Sequence, residues 1–208
     1  MFRRVEAATV PRKSAQLTTT AAKILQLKVT LDETTPAVWR RVQVSSEMTL
    51  DQLALVIELA MGWDGDHMHQ FEKDRAIYGV PDGYGDRTID ESEVTVGSLL
   101  PRKKSWLTYM YDFGDSWRHE VRVEETLDAT PNVSYPQCVG GARACPPEDC
   151  GGIGGYFELL EEVEEGGGED GDEEFDLDFD PDAFDVAAVN KRLKRVRATL
   201  KVSERVVE

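Results

Sequence analysis

Alternating apolar and polar positions near the start of the chain predict a β-hairpin. Leucine or valine occupies every second position from residue 25 to residue 31, with polar side chains between them, which is typical of a half-buried strand. Residues 32–36 form a turn-like cluster, and valines return at positions 38, 42 and 44. The second run predicts a strand that folds back beside the first.

A helical period replaces the alternation after this hairpin. The apolar side chains between Leu50 and Met61 fall on one face of a helix. Thr49, with Gln52 three residues later, makes a capping box at the start, and Gly62 suits the left-handed conformation that ends many helices. The pattern predicts an amphipathic helix between Thr49 and Gly62.

Two further strand signals follow in the middle of the chain. His67, His69 and Phe71 fall on one side of a short predicted strand. Ser105–Glu125 is expected to form a second hairpin about a tight turn at Gly114–Asp115. The core-facing residues expected from that turn are Trp106 and the pairs Asp112 with Trp117, Met110 with His119 and Thr108 with Val121.

The last third of the chain carries fewer periodic signals. Residues 131–155 are rich in proline, cysteine and glycine and are expected to form a long irregular loop, followed by a short helix at Tyr156–Glu164. A final helix is expected to open at Asp180–Pro181, because proline suits the first helical turn. Its apolar stripe runs from residue 186 to residue 196. Together these elements predict an α+β fold: a single compact domain with a mixed or antiparallel sheet from β-hairpins, packed against a few helices.

Charge is distributed unevenly along the 208 residues, whose formal net charge is -16. This distribution predicts three segments: a disordered basic arm at residues 1–22, the folded domain at 23–193 and a basic C-terminal tail at 194–208. An acidic low-complexity insertion is expected within the domain, at about 165–178. Duplex binding needs a cluster of cations, so the core is not expected to bind nucleic acid. No membrane span is predicted, and the odd number of cysteines fits a reducing cytoplasm.

Three cysteines in the long loop are a candidate zinc site. Cys138, Cys145 and Cys150, with His119 as a fourth ligand, offer the thiolates and imidazole that zinc binds. Their spacing lacks the paired Cys-x-x-Cys of common zinc sites, and free cysteine commonly packs as a small apolar residue. We therefore expect no cofactor and packing of these side chains onto the sheet, with zinc as the alternative.

A second candidate cluster combines histidines and carboxylates. Its members are His67, His69, Asp112, Asp115, His119, Glu148 and Asp149. Alternate residues of a strand share a face, so the first two histidines could reach one metal ion or substrate. Catalytic zinc takes three protein ligands and keeps one position open. Ordinary structural roles explain the same residues, and no catalytic residue is assigned.

Several strings of the sequence together carry a resemblance to a known family. They are Pro36–Arg41, Leu50–Leu53, Met61–Trp63, His67–Phe71, Tyr111–Glu120, Tyr135–Cys138, Ala144–Gly152 and Phe179–Asp185. In this order, over about residues 23–193, they resemble the plasmid pRiA4b ORF-3-like family. The resemblance implies a compact α+β domain found on plasmids, in chromosomes and as a passenger of insertion elements. Some members carry a resolvase-like label, but the resemblance implies no mechanism.

The sequence therefore favours a binding or accessory module associated with mobile elements, with an unknown protein or small molecule as its partner. This interpretation depends on the lack of a recognisable nucleophile, cofactor loop or metal-binding knuckle. One alternative is a metal-dependent, hydrolase-like enzyme that uses the histidine, aspartate and cysteine residues. Another is nucleic-acid binding through the basic ends of the chain.

Overall fold

The computed structural model describes residues 22–81, 83, 87–165 and 179–206, with side chains up to residue 197. This part of the chain forms eight strands and four helices. The strands are β1 Lys23–Leu31, β2 Trp39–Ser45, β3 His69–Lys73, β4 Ala76–Gly79, β5 Ile89–Asp90, β6 Trp106–Tyr111, β7 Trp117–Asp128 and β8 Gln137–Ala142. The helices are α1 Leu50–Met61, α2 Val96–Leu99, α3 Gly152–Glu165 and α4 Val186–Val206, and Glu91–Glu93 forms a 3-10 turn.

All eight strands belong to one sheet, in the order β5-β4-β3-β6-β7-β1-β2-β8. Neighbouring strands are antiparallel, except β4 and β5, which are parallel. The sheet is therefore mixed, and together with the helices it confirms the α+β class. The first predicted hairpin is confirmed as β1 and β2, in which Leu27 lies opposite Val42.

Helix α1 shares one hydrophobic core with the sheet. The predicted capping box between Thr49 and Gln52 is present, and Gly62 follows the helix with a φ of 118°. Helix α4 packs against α1 and β8 and buries Val189 and Leu193. Because α1 has neighbours on two sides, it also buries residues outside its main apolar face, including Glu58.

The second hairpin forms, but the expected register of its first strand is wrong by one residue. Tyr111 lies opposite Trp117, and Tyr109 lies opposite His119. Both tyrosines are fully buried, whereas Trp106 is 48% exposed rather than turned inward, because a one-residue slip sends each side chain to the other face. Burial of the expected core residues of β7 is confirmed for Trp117, His119 and Val121.

A five-residue loop, 112–116, causes this slip. The Ser116 amide donates to the Asp112 carbonyl at 2.6 Å, and the Gly114 amide donates to Asp112 Oδ1 at 2.8 Å. Asp112 and Ser116 both have positive φ, a conformation in which aspartate is enriched. Asp112 therefore lies in the loop, and the expected two-residue turn is wrong.

Two strand boundaries also differ from expectation. β3 begins at His69, so His67 precedes the strand. The segment 131–155, expected to be an irregular loop, contains β8, which pairs with β2. Its run of valine, two glycines and alanine has no alternation of apolar and polar residues, so its pairing with β2 is what makes it a strand.

Helix α4 begins later than expected. It starts at Val186 rather than at Asp180–Pro181, because Asp185 Oδ1 accepts a 2.7 Å hydrogen bond from the Ala187 amide, as a helix N-cap does. Val186 itself is 36% exposed. The buried part of the expected stripe is Val189, Leu193 and Val196. Helix α3 begins at Gly152, four residues before the expected start.

Some expectations concern residues outside the described part of the chain. Residues 1–21 of the basic arm and 166–178 of the acidic insertion lie outside it. The α4 backbone continues through Val206, across most of the expected basic tail. None of the described helices is long and apolar enough to cross a bilayer.

Candidate functional site

The ends of two neighbouring strands bring separate parts of the chain together. β3 and β6 are antiparallel neighbours, with His69 opposite Tyr111, so the residues before β3 lie beside those after β6. The Asp112 amide donates to the Met68 carbonyl at 2.9 Å, which extends the pairing beyond both strands. This backbone arrangement places His67 next to Asp112.

Three of the expected site residues form a compact group. Among the described residues, the set of histidine, cysteine or acidic side chains whose ligand atoms all lie within 4.8 Å of one another is His67, Asp112 and Asp149. Asp112 Oδ2 lies 3.6 Å from His67 Nδ1, and Asp149 Oδ1 lies 3.4 Å from His67 Nε2. The Asp149 side chain is 76% exposed, so the group is open to solvent.

Glu148 adds an oxygen at the edge of this group. Its Oε1 accepts hydrogen bonds from the Tyr111 hydroxyl at 3.0 Å and the Asp64 amide at 2.9 Å. Its Oε2 lies 3.9 Å from His67 Nε2 and is buried without a hydrogen-bond partner among the described residues. A buried oxygen without a partner is costly, and a cation bound beside it would remove that cost. Burial, followed by the hydrogen bond to Glu148, raises the pKa of Tyr111, so the hydroxyl remains a donor.

The loop that carries Asp149 has an unusual backbone conformation and packs closely against Asp115. Asp149 and Gly152 have φ values of 55° and 67°. A Cβ on Gly152 would lie 2.6 Å from the Asp115 carbonyl oxygen, so a larger residue there would push the loop away. Asp115 therefore packs against the start of α3, where its Oδ2 is buried without a hydrogen-bond partner among the described residues, and it does not join the His67 group.

His69 belongs to a different and more enclosed cluster. Its Nε2 lies 3.0 and 3.1 Å from the two Glu91 carboxylate oxygens, and its Nδ1 lies 3.4 Å from Glu58 Oε1. Glu58 also accepts a 2.6 Å hydrogen bond from the Tyr109 hydroxyl. Burial favours a lower pKa for His69, but the hydrogen bond and charge of Glu91 outweigh it and raise the pKa. For Glu58, burial raises the pKa and outweighs the hydrogen bond from Tyr109 and the charge of His69, which lower it. His69 thus lies between the carboxyl groups of Glu58 and Glu91, and its raised pKa favours the charged imidazolium.

His119 lies in the hydrophobic core and is fully buried. Its ring centroid lies 5.4 Å from that of Trp63 and 5.7 Å from that of Tyr109. Burial lowers the pKa of His119 to about 4, so the ring is neutral at pH 7. Neither ring nitrogen makes a well-aligned hydrogen bond among the described residues, although the backbones of Tyr109 and Trp117 lie close enough to oppose the fall in its pKa. The ring is not part of the His67 group.

The three cysteines are free thiols in different surroundings. Cys138 is buried in β8 and donates to the Gly140 carbonyl at 3.3 Å. Cys145 and Cys150 are partly buried and pack against the core. Burial raises the pKa of all three thiols, to about 11 for Cys150. Within the described ranges, these cysteines and His119 do not form a set of ligand atoms within 4.8 Å of one another.

A cavity of about 490 Å³ opens beside His67. Three large apolar side chains in its lining are exposed: Met68 by 71%, Val80 by 77% and Phe113 by 48%. Exposed apolar side chains that cluster on one surface often mark a contact site. The cavity therefore offers room for a ligand next to the His67 group.

A family model described as plasmid pRiA4b ORF-3-like protein matches residues 23–188. The chain belongs to this family. Uncharacterized protein y4hQ from Sinorhizobium fredii is 39% identical over 143 residues, which cover 67% of this chain and 73% of that protein. The crystal structure of a protein of unknown function from Methanosarcina mazei Go1 is 35% identical, with a TM-score of 0.72, and the match covers 81% of this chain and 97% of that chain.

In this pRiA4b ORF-3-like chain, the strings that carry the family resemblance also supply the His67 group. His67–Phe71 supplies the imidazole, Tyr111–Glu120 supplies Asp112, and Ala144–Gly152 supplies Glu148 and Asp149. The first two strings are far apart in the sequence and meet because β3 and β6 are neighbours in the sheet. The third reaches them through the hydrogen bonds of Glu148 to the Asp64 amide and the Tyr111 hydroxyl.

Sequence reasoning missed the residues that hold the histidines and Glu148 in place. Tyr109 and Tyr111 were missed because the expected register turned them outward. Glu91 lies in a three-residue 3-10 turn, which is too short to be predicted from a periodic pattern. Glu58 had a visible signal, since it is an acid within the run of apolar residues that ends α1.

Proposed function

We propose that this pRiA4b ORF-3-like chain is a binding module whose site holds one divalent metal ion between His67, Asp112 and Asp149. The observation that carries the proposal is the three ligand atoms within 4.8 Å of one another. Imidazole nitrogen and carboxylate oxygen bind zinc at about 2.0–2.2 Å, so the ligands must close around the ion. One ion binds only one of the two ring nitrogens, and Asp112 faces Nδ1 whereas Asp149 faces Nε2. The ion would therefore lie at Nδ1 beside Asp112, and the exposed Asp149 would turn to reach it.

The charges around His67 support the binding of a cation. Asp112, Glu148 and Asp149 surround one imidazole. Among the described residues, none of these three carboxylates lies within 4.0 Å of a lysine or arginine nitrogen. The unpartnered Oε2 of Glu148 is a further acceptor for the ion or for a water molecule bound to it. The surplus of negative charge would fall when a divalent cation binds.

The bound ion would serve recognition. Three protein ligands leave at least one coordination position open, and the cavity of about 490 Å³ beside His67 gives space for a donor group of a partner protein or small molecule. The exposed apolar side chains in its lining supply the contact surface. Cytoplasmic operation fits the three free thiols.

Metal binding is tested by equilibrium dialysis of the full chain, stripped on a chelating resin, against Zn²⁺ or Mn²⁺, followed by elemental analysis. The expected result is one ion per chain, lost in His67→Ala and in Asp112→Asn, which keeps the loop hydrogen bonds. Asp66→Asn is the matched control, since it removes one exposed charge from the same loop. Equal ion content in the wild type and His67→Ala contradicts the proposal.

A metal-dependent hydrolase is the second candidate function. The observation that favours it is a three-ligand group open to solvent, as Asp149 is 76% exposed, which fits the arrangement of catalytic zinc. Metal-loaded protein can be assayed with chromogenic carboxyl esters and phosphate monoesters. Turnover that disappears in His67→Ala supports the enzyme, whereas stoichiometric metal without turnover supports the binding module.

A further inference from the structure

A second cavity, of about 580 Å³, lies between the end of α1, the segment 144–148 and the start of α4. Much of its lining is apolar. Its apolar side chains include Trp63, Pro146, Phe179 and Phe184. Two arginines, Arg40 and Arg192, also line this cavity, together with Glu148 and Asp185.

Arg40 is 3% exposed and is held by backbone carbonyls. Its Nε donates to the Ala60 carbonyl at 2.9 Å, and its Nη1 donates to those of Trp39 and Ala142 at 2.9 and 3.0 Å. The guanidinium carbon lies 4.8 Å from the centroid of the Phe184 ring. Its Nη2 donates to no acceptor within the described ranges.

Arg192 reaches the same end of α1 from α4. Its Nε donates to the Leu59 carbonyl at 2.8 Å, and its two Nη groups have no acceptor among the described residues that lie within hydrogen-bonding distance. Both arginines therefore bind C-terminal carbonyls of α1. The dipole of a helix places about half a negative charge at that end, which is less than two guanidinium charges.

Among the described residues, carboxylates do not supply the missing negative charge. In the described part of the chain, no carboxylate oxygen lies within 4.0 Å of either guanidinium. Glu148 and Asp185 line the cavity, but each accepts hydrogen bonds elsewhere. Glu148 accepts from a tyrosine hydroxyl and a backbone amide, and Asp185 accepts from a backbone amide.

The other titratable groups beside Arg40 are neutral at pH 7. They are Cys138, Cys145 and Tyr156, and burial raises the pKa of each. Arg192 is also close enough to act on Arg40, and its charge is repulsive. Around the two guanidinium groups, the described residues thus leave the positive charge without a close carboxylate and some hydrogen-bond donors unfilled.

We propose that this cavity binds a small organic anion, with its carboxylate or phosphate group on Arg40 and Arg192 and its apolar body against Trp63 and Phe184. Guanidinium groups bind both kinds of anion through paired N–H donors. The volume falls within the range of small-molecule sites, about 300–1,000 Å³. This site is independent of the proposed metal ion, although Glu148 lies at the edge of both.

The test is a calorimetric titration of the full, metal-stripped chain with benzoate, phenyl phosphate and benzyl alcohol. Both anions carry the same ring as the neutral alcohol, so the comparison isolates the charged group. We expect at least one anion to bind at least about tenfold more tightly than the alcohol, and the better anion identifies the preferred group. Equal binding of all three, or binding of none, overturns the proposal.

Variants then locate the bound anion. Arg192→Gln should weaken anion binding about 10- to 100-fold and leave the alcohol unaffected. Lys191→Gln is the control, because it removes one positive charge from the same helix but lines a different groove. Equal losses in these two variants overturn the proposal.

A cavity-filling variant keeps both arginines. Ala188 lines the cavity, and Ala188→Phe should abolish binding of every probe. Thermal unfolding identifies which variants are folded. Should Arg192→Gln be unfolded, Arg192→Lys replaces it, since lysine keeps the charge but lacks the paired donors. Unchanged anion affinity in both Arg192→Lys and Ala188→Phe overturns the proposal.

Discussion

Replacing His69 by alanine should destabilise the protein strongly. The change leaves Glu58 and Glu91, which are 4% and 3% exposed, without the cation that lies between them. Removing one partner of a buried ion pair costs about 3–5 kcal/mol. In a domain of this size 1 kcal/mol shifts the melting temperature by about 2–4 °C. We therefore expect His69→Ala to melt about 6–20 °C below the wild type at pH 7.

His67→Ala is the matched control for this prediction. This variant also removes an imidazole ring, but the ring of His67 lies 3.4–3.9 Å from its carboxylate neighbours and its side chain is 30% exposed. Such partly exposed pairs contribute about 0–1 kcal/mol. Both variants are measured by thermal unfolding followed by circular dichroism, in metal-free buffer so that a lost ion does not contribute.

The cost of His69→Ala should also depend on pH. The pKa of His69 is raised in the folded state above its ordinary value of 6.5. A group with a raised pKa stabilises the fold fully below its unfolded pKa and loses that contribution as the pH rises through its folded pKa. The melting difference between wild type and variant should therefore be largest below about pH 6.5 and shrink as the pH rises through the raised pKa of His69. A difference that equals that of His67→Ala, or that does not change with pH, refutes the reasoning.

Three further predictions concern the loop before α3, the second hairpin and nucleic acid. Gly152→Ala should lower the free energy of unfolding by about 1–3 kcal/mol, because Gly152 has a positive φ and a Cβ there would meet the Asp115 carbonyl. Gly154→Ala should raise it by about 0.5–1 kcal/mol, because a Cβ there would meet no atom within 4 Å. Urea unfolding measures both changes. Trp117→Ala should cost about 3–5 kcal/mol and Trp106→Ala about 1 kcal/mol or less, in line with their exposures of 2% and 48%; equal costs in urea unfolding contradict the observed register. The chain without its basic ends should not shift duplex DNA in a gel assay at about 0.15 M salt; a sequence-selective shift contradicts this.

The elements that depend on local patterns could be predicted from the sequence. The β1–β2 hairpin has a clean alternation, and α1 carries its own capping box and terminal glycine. The phase of β6 could not be predicted in the same way, because Trp106 and Met110 on one face are as apolar as Tyr109 and Tyr111 on the other. The loop 112–116 decides between them, and its length is not visible in the pattern.

For the candidate site, the residue types could be predicted from the sequence, but their positions relative to one another could not. His67, Asp112 and Asp149 were all among the expected residues, since imidazole and carboxylate are recognisable ligand types. Their separation from His69 and His119 could not be predicted, because it depends on the pairing of β3 with β6 and on the burial of β7. Neighbours that are not consecutive in sequence leave no local signal.

The interior position of β1 in the sheet, between β2 and β7, has a consequence for synthesis of the chain on the ribosome. β1 pairs on one side with β2, which follows it directly, and on the other with β7, where Leu31 lies opposite His119 and Lys23 opposite Asp128. Once β2 is complete at Ser45, about 75–85 further residues must therefore be added before that second edge is covered, which takes about 4–17 s at 5–20 residues per second. During this interval the nascent hairpin presents an unpaired strand edge, a known starting point for aggregation.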